Sequence, residues 1–237
     1  MQRTFNRPSY MPKYWPVSSD CVLYLEGQQD PQSSTIRDLS GNNNHGTITG
    51  ATWTRLSSGL GGLSFNGANN RIDCGDDSSL HPITDLTVMI WLKAAALDAA
   101  SYPRLIDCLA NDGGTYKGYG IYQSINSYDI RCEIGGNGGL KQIAIATATQ
   151  NVWGHAAFTY VSGTGFIRYW NGSSIGGPSD DIGNILYKAA EDNLLIGKSY
   201  LGSGFEGYLA LGKVFDVALS GAQIDGIYQQ ERHLFGV

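Results

Sequence analysis

The clearest secondary-structure signal in the chain is the stretch Asp85-Leu-Thr-Val-Met-Ile-Trp-Leu-Lys93. Its side chains alternate with a period of two, and apolar residues occupy both sets of positions. A period of two predicts a β-strand, because successive side chains of a strand point to opposite faces of the sheet. Apolar residues on both faces predict a strand that is covered on both sides. We therefore expect residues 85–93 to form a central strand.

Shorter segments of similar character lie on either side of this strand and are separated by glycine- and asparagine-rich turns. Only the C-terminal end predicts a helix, where Ser220-Gly-Ala-Gln223 forms a capping box before an apolar stripe. This spacing is typical of an all-β antiparallel two-sheet sandwich, a jelly roll with one short C-terminal helix. The expected strands are 21–25, 47–53, 62–65, 71–74, 85–93, 104–109, 118–124, 128–134, 154–161, 165–170, 193–196 and 207–215.

Length and charge limit the remaining possibilities. A sandwich often uses 237 residues as a single unit, so we expect one domain over residues 18–237, preceded by an N-terminal arm at 1–17. The arm either frays or reaches a neighbouring subunit and supports a homo-oligomer. A net charge of −5 without a basic patch argues against nucleic acid as a partner. The sequence contains no run of 18 apolar residues, so it predicts no membrane-spanning helix. Residues 1–16 lack the apolar segment of a secretory signal.

The four cysteines are widely spaced and show no CxxC pair, which argues against a zinc site. Three lie inside expected strands and the fourth closes one. We expect most of them to be buried thiols, with a disulfide as the alternative. They are Cys21, Cys74, Cys108 and Cys132.

Six motifs in a fixed order resemble the laminin-G-like, concanavalin A-like lectin/glucanase superfamily. The first is the loop Asp38-Leu-Ser-Gly-Asn-Asn-Asn-His-Gly-Thr47, followed by Ala51-Thr-Trp53. The others are Gly62-Leu-Ser-Phe-Asn-Gly67 with Arg71-Ile72, Leu86-Thr-Val-Met-Ile-Trp91, Trp153-Gly-His-Ala156 with Tyr169-Trp-Asn-Gly172, Phe205-Glu-Gly207, and Ala218-Leu-Ser220. The resemblance implies a jelly roll that takes ligands on a concave face or on rim loops.

The resemblance also implies a structural calcium ion, with ligands here from Asp38, Asn43 and Asp216. The early loop could supply several of the oxygen ligands that Ca²⁺ requires. Where the family has an acidic pair near the last strand, this chain has Ala210 and Leu211. The alternative is that Asp38 and the asparagines hydrogen-bond the backbone of their own loop.

Tyrosines crowd the middle of the chain among asparagines and glycines. Sugars stack on aromatic rings and hydrogen-bond to nearby polar groups, and tyrosine is enriched at protein interfaces as well. Each ring could instead pack in the core. The candidate ligand-binding residues are Tyr102, Tyr116, Tyr119, Tyr122, Tyr128 and Tyr200.

The sequence does not predict an enzyme. Glycanases of this superfamily carry a Glu-x-Asp-x-x-Glu motif on one strand, and it is missing here. Asp129 and Glu133 share a face with Arg131 between them, which favours a structural role. No G-x-S-x-G elbow is present either.

We therefore expect a non-catalytic recognition module displayed on a surface, as a virion (phage) decoration or adsorption protein that binds glycans. Its partners would be a glycan or another surface or capsid protein, and its location the virion surface or the extracellular space. A secreted carbohydrate-binding lectin or adhesin is the first alternative, and a glycan hydrolase is the second.

Overall fold

A computed structural model describes residues 19–25, 27, 33–96, 101–188 and 192–237. The expected N-terminal arm, residues 1–17, lies outside these residues, so its role in oligomerisation stays a prediction. No helix in the described ranges is long and apolar enough to cross a membrane.

The described residues form strands throughout, with a short 3₁₀ turn at Ser78–Leu80 and a C-terminal helix, α1, at Gly221–Phe235. The strands are β1 Cys21–Tyr24, β2 Thr35–Ile36, β3 Gly46–Thr49, β4 Thr52–Arg55, β5 Gly61–Asn66, β6 Arg71–Asp73, β7 Asp85–Ala94, β8 Arg104–Asp107, β9 Ala110–Asp112, β10 Thr115–Gln123, β11 Asp129–Gly136, β12 Gly139–Thr147, β13 Gly154–Val161, β14 Gly165–Trp170, β15 Ser173–Ser174, β16 Leu195–Ile196 and β17 Glu206–Phe215.

These strands build two antiparallel sheets, as expected for a jelly roll. Within the described ranges, one sheet has eight strands in the order β15-β14-β13-β7-β17-β5-β4, with β1 also paired to β17. The other has nine strands in the order β12-β11-β10-β8-β16-β6-β3-β2, with β9 also paired to β10. Strand β7 lies in the middle of the eight-stranded sheet, between β13 and β17, which confirms its prediction as a central strand.

The main core fills the space between the sheets. From β7 it receives Leu86, Val88, Ile90 and Leu92, and from the facing sheet it receives Ile121 and Cys132 among others. The alternate residues of β7 point away from this core. Met89 and Trp91 belong to two smaller clusters on the outer face of the eight-stranded sheet.

Helix α1 covers part of that outer face. It begins at the capping box predicted from the sequence, where the Ser220 side chain accepts from the Gln223 backbone N–H. It ends at Gly236, which has a φ of 72° and donates its N–H to the Arg232 carbonyl. The buried side of the helix presents Ile224, Ile227, Tyr228, Glu231 and Phe235 to the sheet. The second apolar face of β7 is therefore explained by the helix that packs on it.

Strand β17 contains a bulge at Leu211, where two residues oppose one residue of β7. Leu211 has a φ of 49°, a conformation that costs a non-glycine residue free energy. Because of the extra residue, Ala210 and Leu211 both join the cluster beneath the helix. The apolar residues that replace the family's acidic pair are therefore packing residues.

One strand prediction was wrong, and strands β2, β9, β12 and β15 were not predicted. Residues 47–53 do not form one strand: Gly50, with a φ of 72°, ends β3, and β4 begins in the opposite sheet. Strand β12 was missed, because its largely exposed residues carry no clear apolar alternation. It is held at the sheet edge by a ladder to β11.

All four cysteines are buried free thiols, in agreement with the expectation. Burial raises the pKa of Cys21 and of Cys132 to about 12 and that of Cys74 well above its usual range. The thiols are therefore uncharged packing groups at neutral pH.

Candidate functional site

The outer face of the nine-stranded sheet carries a group of charged side chains on β8 and β11, with β10 between these two strands. Gly120 of β10 lies opposite Asp107 on one side and Glu133 on the other. Residues directly opposite one another share a face, so the two carboxylates flank the glycine. A Cβ atom on Gly120 would lie 2.5 Å from the Asp107 Oδ1 atom. The missing side chain therefore makes room for the acidic groups.

Arg104 joins the two carboxylates. Its Nη1 atom donates to Oδ1 of Asp107 at 3.2 Å and also to Oε1 of Glu133. Its guanidinium carbon lies 5.0 Å from the centre of the Tyr122 ring. All four side chains are buried. A single cation thus faces two carboxylates, and burial raises the pKa of Asp107 because removal from water disfavours its charged form.

The segment 199–204 covers this cluster. The backbone N–H of Arg104 donates to the backbone carbonyl of Ser203 at 3.3 Å. A Cβ on Gly202 would lie 2.7 Å from Arg104 Nε, so the backbone of the segment lies directly against the guanidinium. The Ser199 hydroxyl hydrogen-bonds to Asp107 and lowers the pKa of that carboxyl, against the larger effect of burial.

Three buried polar atoms at this position have no hydrogen-bond partner within the described protein. They are Arg104 Nε, Asp107 Oδ2 and Ser203 Oγ. Buried polar atoms normally have partners, and one without a partner costs about 1–3 kcal/mol. The group contains a donor, an acceptor and a hydroxyl that can act as either, so it has unused capacity to bind another hydrogen-bonding group.

Exposed side chains border the buried cluster. Tyr102 is 44% exposed, and its ring meets Tyr122 edge-on at 5.7 Å between centroids. Tyr200 is 55% exposed and belongs to the covering segment. Arg131 Nε donates to the Tyr122 hydroxyl at 3.1 Å, and Gln142 Nε2 donates to Glu133 Oε2 at 2.8 Å. The border therefore combines aromatic rings with amide and guanidinium donors.

The structure brings together only part of the predicted tyrosine set. Tyr102 and Tyr122 are in contact, and Tyr200 lies in the segment that covers Arg104. Tyr122 is itself buried, so its role is to support the exposed ring of Tyr102. Tyr116 and Tyr128 are half-buried elsewhere on the chain: Tyr116 lies opposite Asn111 in a hairpin, and Tyr128 packs against the main core.

The prediction of a ligand-binding role for Tyr119 was wrong. Tyr119 is opposite Ile134 on the inner face of the sheet and is fully buried. Its hydroxyl donates to the Leu80 carbonyl at 3.0 Å. Strand periodicity explains the difference, since Tyr119 and Tyr122 are an odd number of residues apart and point to opposite faces.

Sequence reasoning missed the centre of the site. Arg104 and Asp107 are the first and last residues of the short buried strand Arg104-Leu-Ile-Asp107, and a buried charged residue needs a partner. The sequence therefore contained a signal for this site, namely two charged residues in a short apolar segment. Glu133 was noted only together with its neighbours on β11, because the pairing of β8 with β10 cannot be deduced from the sequence.

More than half of the chain matches a known protein family. Residues 66–225 match the family model described as Concanavalin A-like lectin/glucanases superfamily. The chain belongs to this superfamily. A search of curated protein sequences finds no match.

Several solved structures share the superfamily fold. The binding domain of Paraclostridial Mosquitocidal Protein 1 has a TM-score of 0.63 and 17% identity, with 90% of this chain and 52% of that chain covered. Trypanosoma rangeli sialidase in complex with sialic acid has a TM-score of 0.65 and 13% identity, with 92% and 34% covered. Domain 4 of an extracellular arabinanase from Geobacillus stearothermophilus, in complex with arabinotriose, has a TM-score of 0.66 and 18% identity, with 89% and 98% covered. This chain therefore spans about half of the toxin domain and nearly all of the arabinanase domain.

The calcium site that the superfamily resemblance implied does not fit the contacts of Asp38. Its Oδ1 atom accepts from the backbone N–H groups of Tyr24 and Ser40, and its Oδ2 atom accepts from the Ser40 hydroxyl and the Asn44 N–H. Both oxygens are thus committed to donors of the protein. Among the described residues, no group of three acidic, histidine or cysteine side chains could hold a metal ion.

The other two expected ligands have local roles. Asn43 has a φ of 63°, and its carbonyl accepts from the His45 N–H at 2.8 Å. Asp216 is exposed after the end of β17, and its N–H donates to the Asp20 carbonyl at 3.0 Å. The loop is held by its own hydrogen bonds, as in the alternative that the sequence left open.

The pair of carboxylates on β8 and β11, one on each side of β10, resembles what a glycan hydrolase of this superfamily would need. Here both carboxylates are buried and bound to the same nitrogen of Arg104. A general acid and a nucleophile must reach the glycosidic bond, and these two groups do not reach the surface. The described arrangement suits binding better than hydrolysis.

Proposed function

We propose that the chain is a non-catalytic carbohydrate-binding module that takes a neutral glycan on the outer face of its nine-stranded sheet. The observation that carries the proposal is the border of the buried Arg104 cluster, which combines the exposed rings of Tyr102 and Tyr200 with guanidinium and amide donors. Sugar sites combine aromatic rings with a few convergent polar groups.

The charges of the site favour a neutral sugar. Two carboxylates share one guanidinium, so an added anion would meet a second negative charge in a region of low dielectric. A neutral sugar on the border of the cluster brings no charge towards the two buried carboxylates, and its hydroxyls can accept from the Arg131 and Gln142 side chains. Tyr102 and Tyr200 would flank the ring faces.

The solved structures support a carbohydrate as the ligand, although only one of the two sugars that they contain is neutral. The arabinanase domain was determined with arabinotriose, and the sialidase was determined with sialic acid. Arabinotriose is a neutral oligosaccharide, in line with the charge argument, and the arabinanase domain has nearly the same extent as this chain.

The test is a glycan array followed by calorimetry on the neutral glycan that gives the strongest signal. Tyr102→Ala and Tyr200→Ala each remove an exposed ring, and we expect each to weaken binding about tenfold, since a stacking contact of on the order of 1 kcal/mol or more is lost. Ile175→Ala is the matched control, because Ile175 is also exposed but follows β15 of the other sheet.

Two outcomes would refute the binding proposal: no glycan retained by the wild-type chain, or equal affinities for the wild type and both tyrosine variants. Hydrolysis is measured in parallel as the release of reducing ends from a polysaccharide panel. We expect none. Release by the wild type that vanishes in Glu133→Gln would instead identify a glycan hydrolase.

We extend the proposal to display on a surface, either on a virion as a decoration or adsorption subunit or outside a cell as a lectin. The extracellular arabinanase supports a place outside the cell, since its domain 4 has the same fold. Gold-labelled antibodies against the chain should decorate purified particles or intact cell surfaces. Label found only in the cytosol would contradict display.

A further inference from the structure

A second row of side chains crosses the outer face of the other, eight-stranded sheet. Thr52 lies opposite Ser64, Ser64 opposite Tyr208, and Tyr208 opposite Lys93. These residues face away from the core, because the intervening Leu92 and Leu209 belong to it. Trp153 precedes β13 at the end of the same row.

The row contains two aromatic rings and a cation in contact. The ring centroids of Trp153 and Tyr208 are 6.3 Å apart at an angle of 52°. The Lys93 Nζ atom lies 5.6 Å from the centre of the Tyr208 ring. All three side chains are half-buried, so each retains an accessible part.

Helix α1 stops short of this row. Trp153 packs against Phe235 at 4.7 Å, and Phe235 is the last residue of the helix. Beyond that contact, Ser64 remains half-buried and Thr52 is exposed. Within the described ranges, the face next to the helix end therefore forms a platform of two rings, an ammonium group and two hydroxyls.

Lys93 forms no ion pair with any acidic side chain in the described ranges, whereas Lys117, Lys141 and Lys213 each have one. The nearest acidic residue along β17 is Glu206, two positions before Tyr208, and its carboxylate lies against Gly67. An ammonium without an ion pair, next to two rings, suits an anion carried on a sugar ring.

We propose that this platform binds an acidic sugar, a pyranose that carries a carboxylate. The sugar ring lies on Trp153 and Tyr208, the carboxylate pairs with Lys93, and ring hydroxyls meet the hydroxyls of Ser64 and Thr52. This site differs from the proposed neutral-glycan site in its sheet, its residues and the charge of its ligand.

The test uses three soluble probes with the full chain: 3′-sialyllactose, digalacturonate and neutral lactose. The first two distinguish a sialic acid from a uronic acid as the source of the carboxylate. We expect at least one acidic probe to bind at low salt, with lactose weaker. Lys93→Met should lower the affinity for that probe about tenfold and remove its salt dependence.

Lys141→Met is the matched control, since Lys141 is half-exposed on the nine-stranded sheet. It should leave binding unchanged. Tyr208→Leu keeps an apolar side chain on the sheet and should weaken binding about fivefold through the loss of stacking. Chemical shifts of the Trp153 indole should move on titration in the wild type.

The proposal is overturned if neither acidic probe binds, or if Lys93→Met binds as tightly as the wild type. Tyr102→Ala separates the two sites: it should weaken only the neutral glycan. Acidic-probe binding that disappears in Tyr102→Ala and survives in Lys93→Met would place the ligand on the first site and refute the second.

Discussion

The Nζ atom of Lys213 lies 2.6 Å from Oε1 of Glu231, and this ion pair joins β17 to helix α1 within the protein interior. The other carboxylate oxygen, Oε2, accepts from Trp91 Nε1 at 2.8 Å. A single carboxylate therefore ties the helix to two neighbouring strands.

Glu231→Gln should lower the free energy of unfolding by about 3–5 kcal/mol, because it leaves the buried ammonium of Lys213 without a counter-charge. Urea unfolding measures the change. The double variant Lys213→Met/Glu231→Gln should recover much of the loss. A double variant that is less stable than Glu231→Gln alone would contradict this account.

His155 should make the chain sensitive to acid. It is fully buried beside Trp91, neither ring nitrogen has a partner in the described protein, and burial lowers its pKa from 6.5 to about 3. The unfolded state then binds the extra proton between pH 6.5 and 3, so stability falls as the pH falls through this window.

His155→Phe removes that titration and keeps an aromatic ring. The difference in unfolding free energy between the wild type and the variant should be flat above pH 6.5. Below that pH, the wild type should lose up to about 1.4 kcal/mol of unfolding free energy per pH unit relative to the variant. Urea unfolding at a series of pH values measures it. Parallel curves would show that His155 does not titrate in this range.

Gly120→Ala should disturb the charged cluster directly. The new methyl group would lie 2.5 Å from Asp107 Oδ1, so either the strand or the carboxylate must move, at a cost of about 1–3 kcal/mol. The same variant should weaken binding of the neutral glycan. Gly177→Ala serves as the control, because no atom lies within 4 Å of the position that its new methyl group would take.

Two glycines of the C-terminal helix should respond in opposite directions. Gly226 lies inside the helix with open space around an added Cβ, so Gly226→Ala should raise stability by about 0.5–1 kcal/mol. Gly236 has a φ of 72° at the C-cap, so Gly236→Ala should lower it by about 1 kcal/mol. Thermal melts of the two variants should move apart. Equal shifts would mean that helix geometry does not decide the outcome.

Asp38→Asn should destabilise the early loop by about 2 kcal/mol, since an amide nitrogen cannot accept the hydrogen bonds that one carboxylate oxygen accepts. Because both oxygens are already committed, calcium or a chelator should leave the melting temperature of the wild-type chain unchanged. A rise in melting temperature on addition of calcium would restore the metal site that the family resemblance implied.

The sequence predicted the sandwich well because its strands carry local signals. The two apolar faces of residues 85–93 required cover on both sides, and the capping box at Ser220 located the helix that provides one cover. Edge strand β12 carries no such signal, because an edge exposed to solvent places little demand on side-chain type.

The candidate site was only partly predictable for a different reason. Tyr102, Tyr122 and Tyr200 were identified by composition, but the Arg104 cluster depends on which strands are neighbours. That information is long-range: β8 pairs with β10 and β16, and the distant segment 199–204 closes over Arg104. Local patterns in one sequence do not contain this information about strand pairing.

The extra residue at Leu211 shifts the alternation of side chains along β17 by one position. Before it, Tyr208 and Ala210 face the helix side, and after it Lys213 and Phe215 do. If the same residues paired regularly with β7, without the bulge, every later residue of the strand would change sides, with Lys213 turned into the sandwich core and Val214 turned out of it. Deletion of Leu211 would instead leave a regular strand in which Lys213 and Val214 keep their present sides, so the bulge accommodates the one residue by which β17 exceeds its partner.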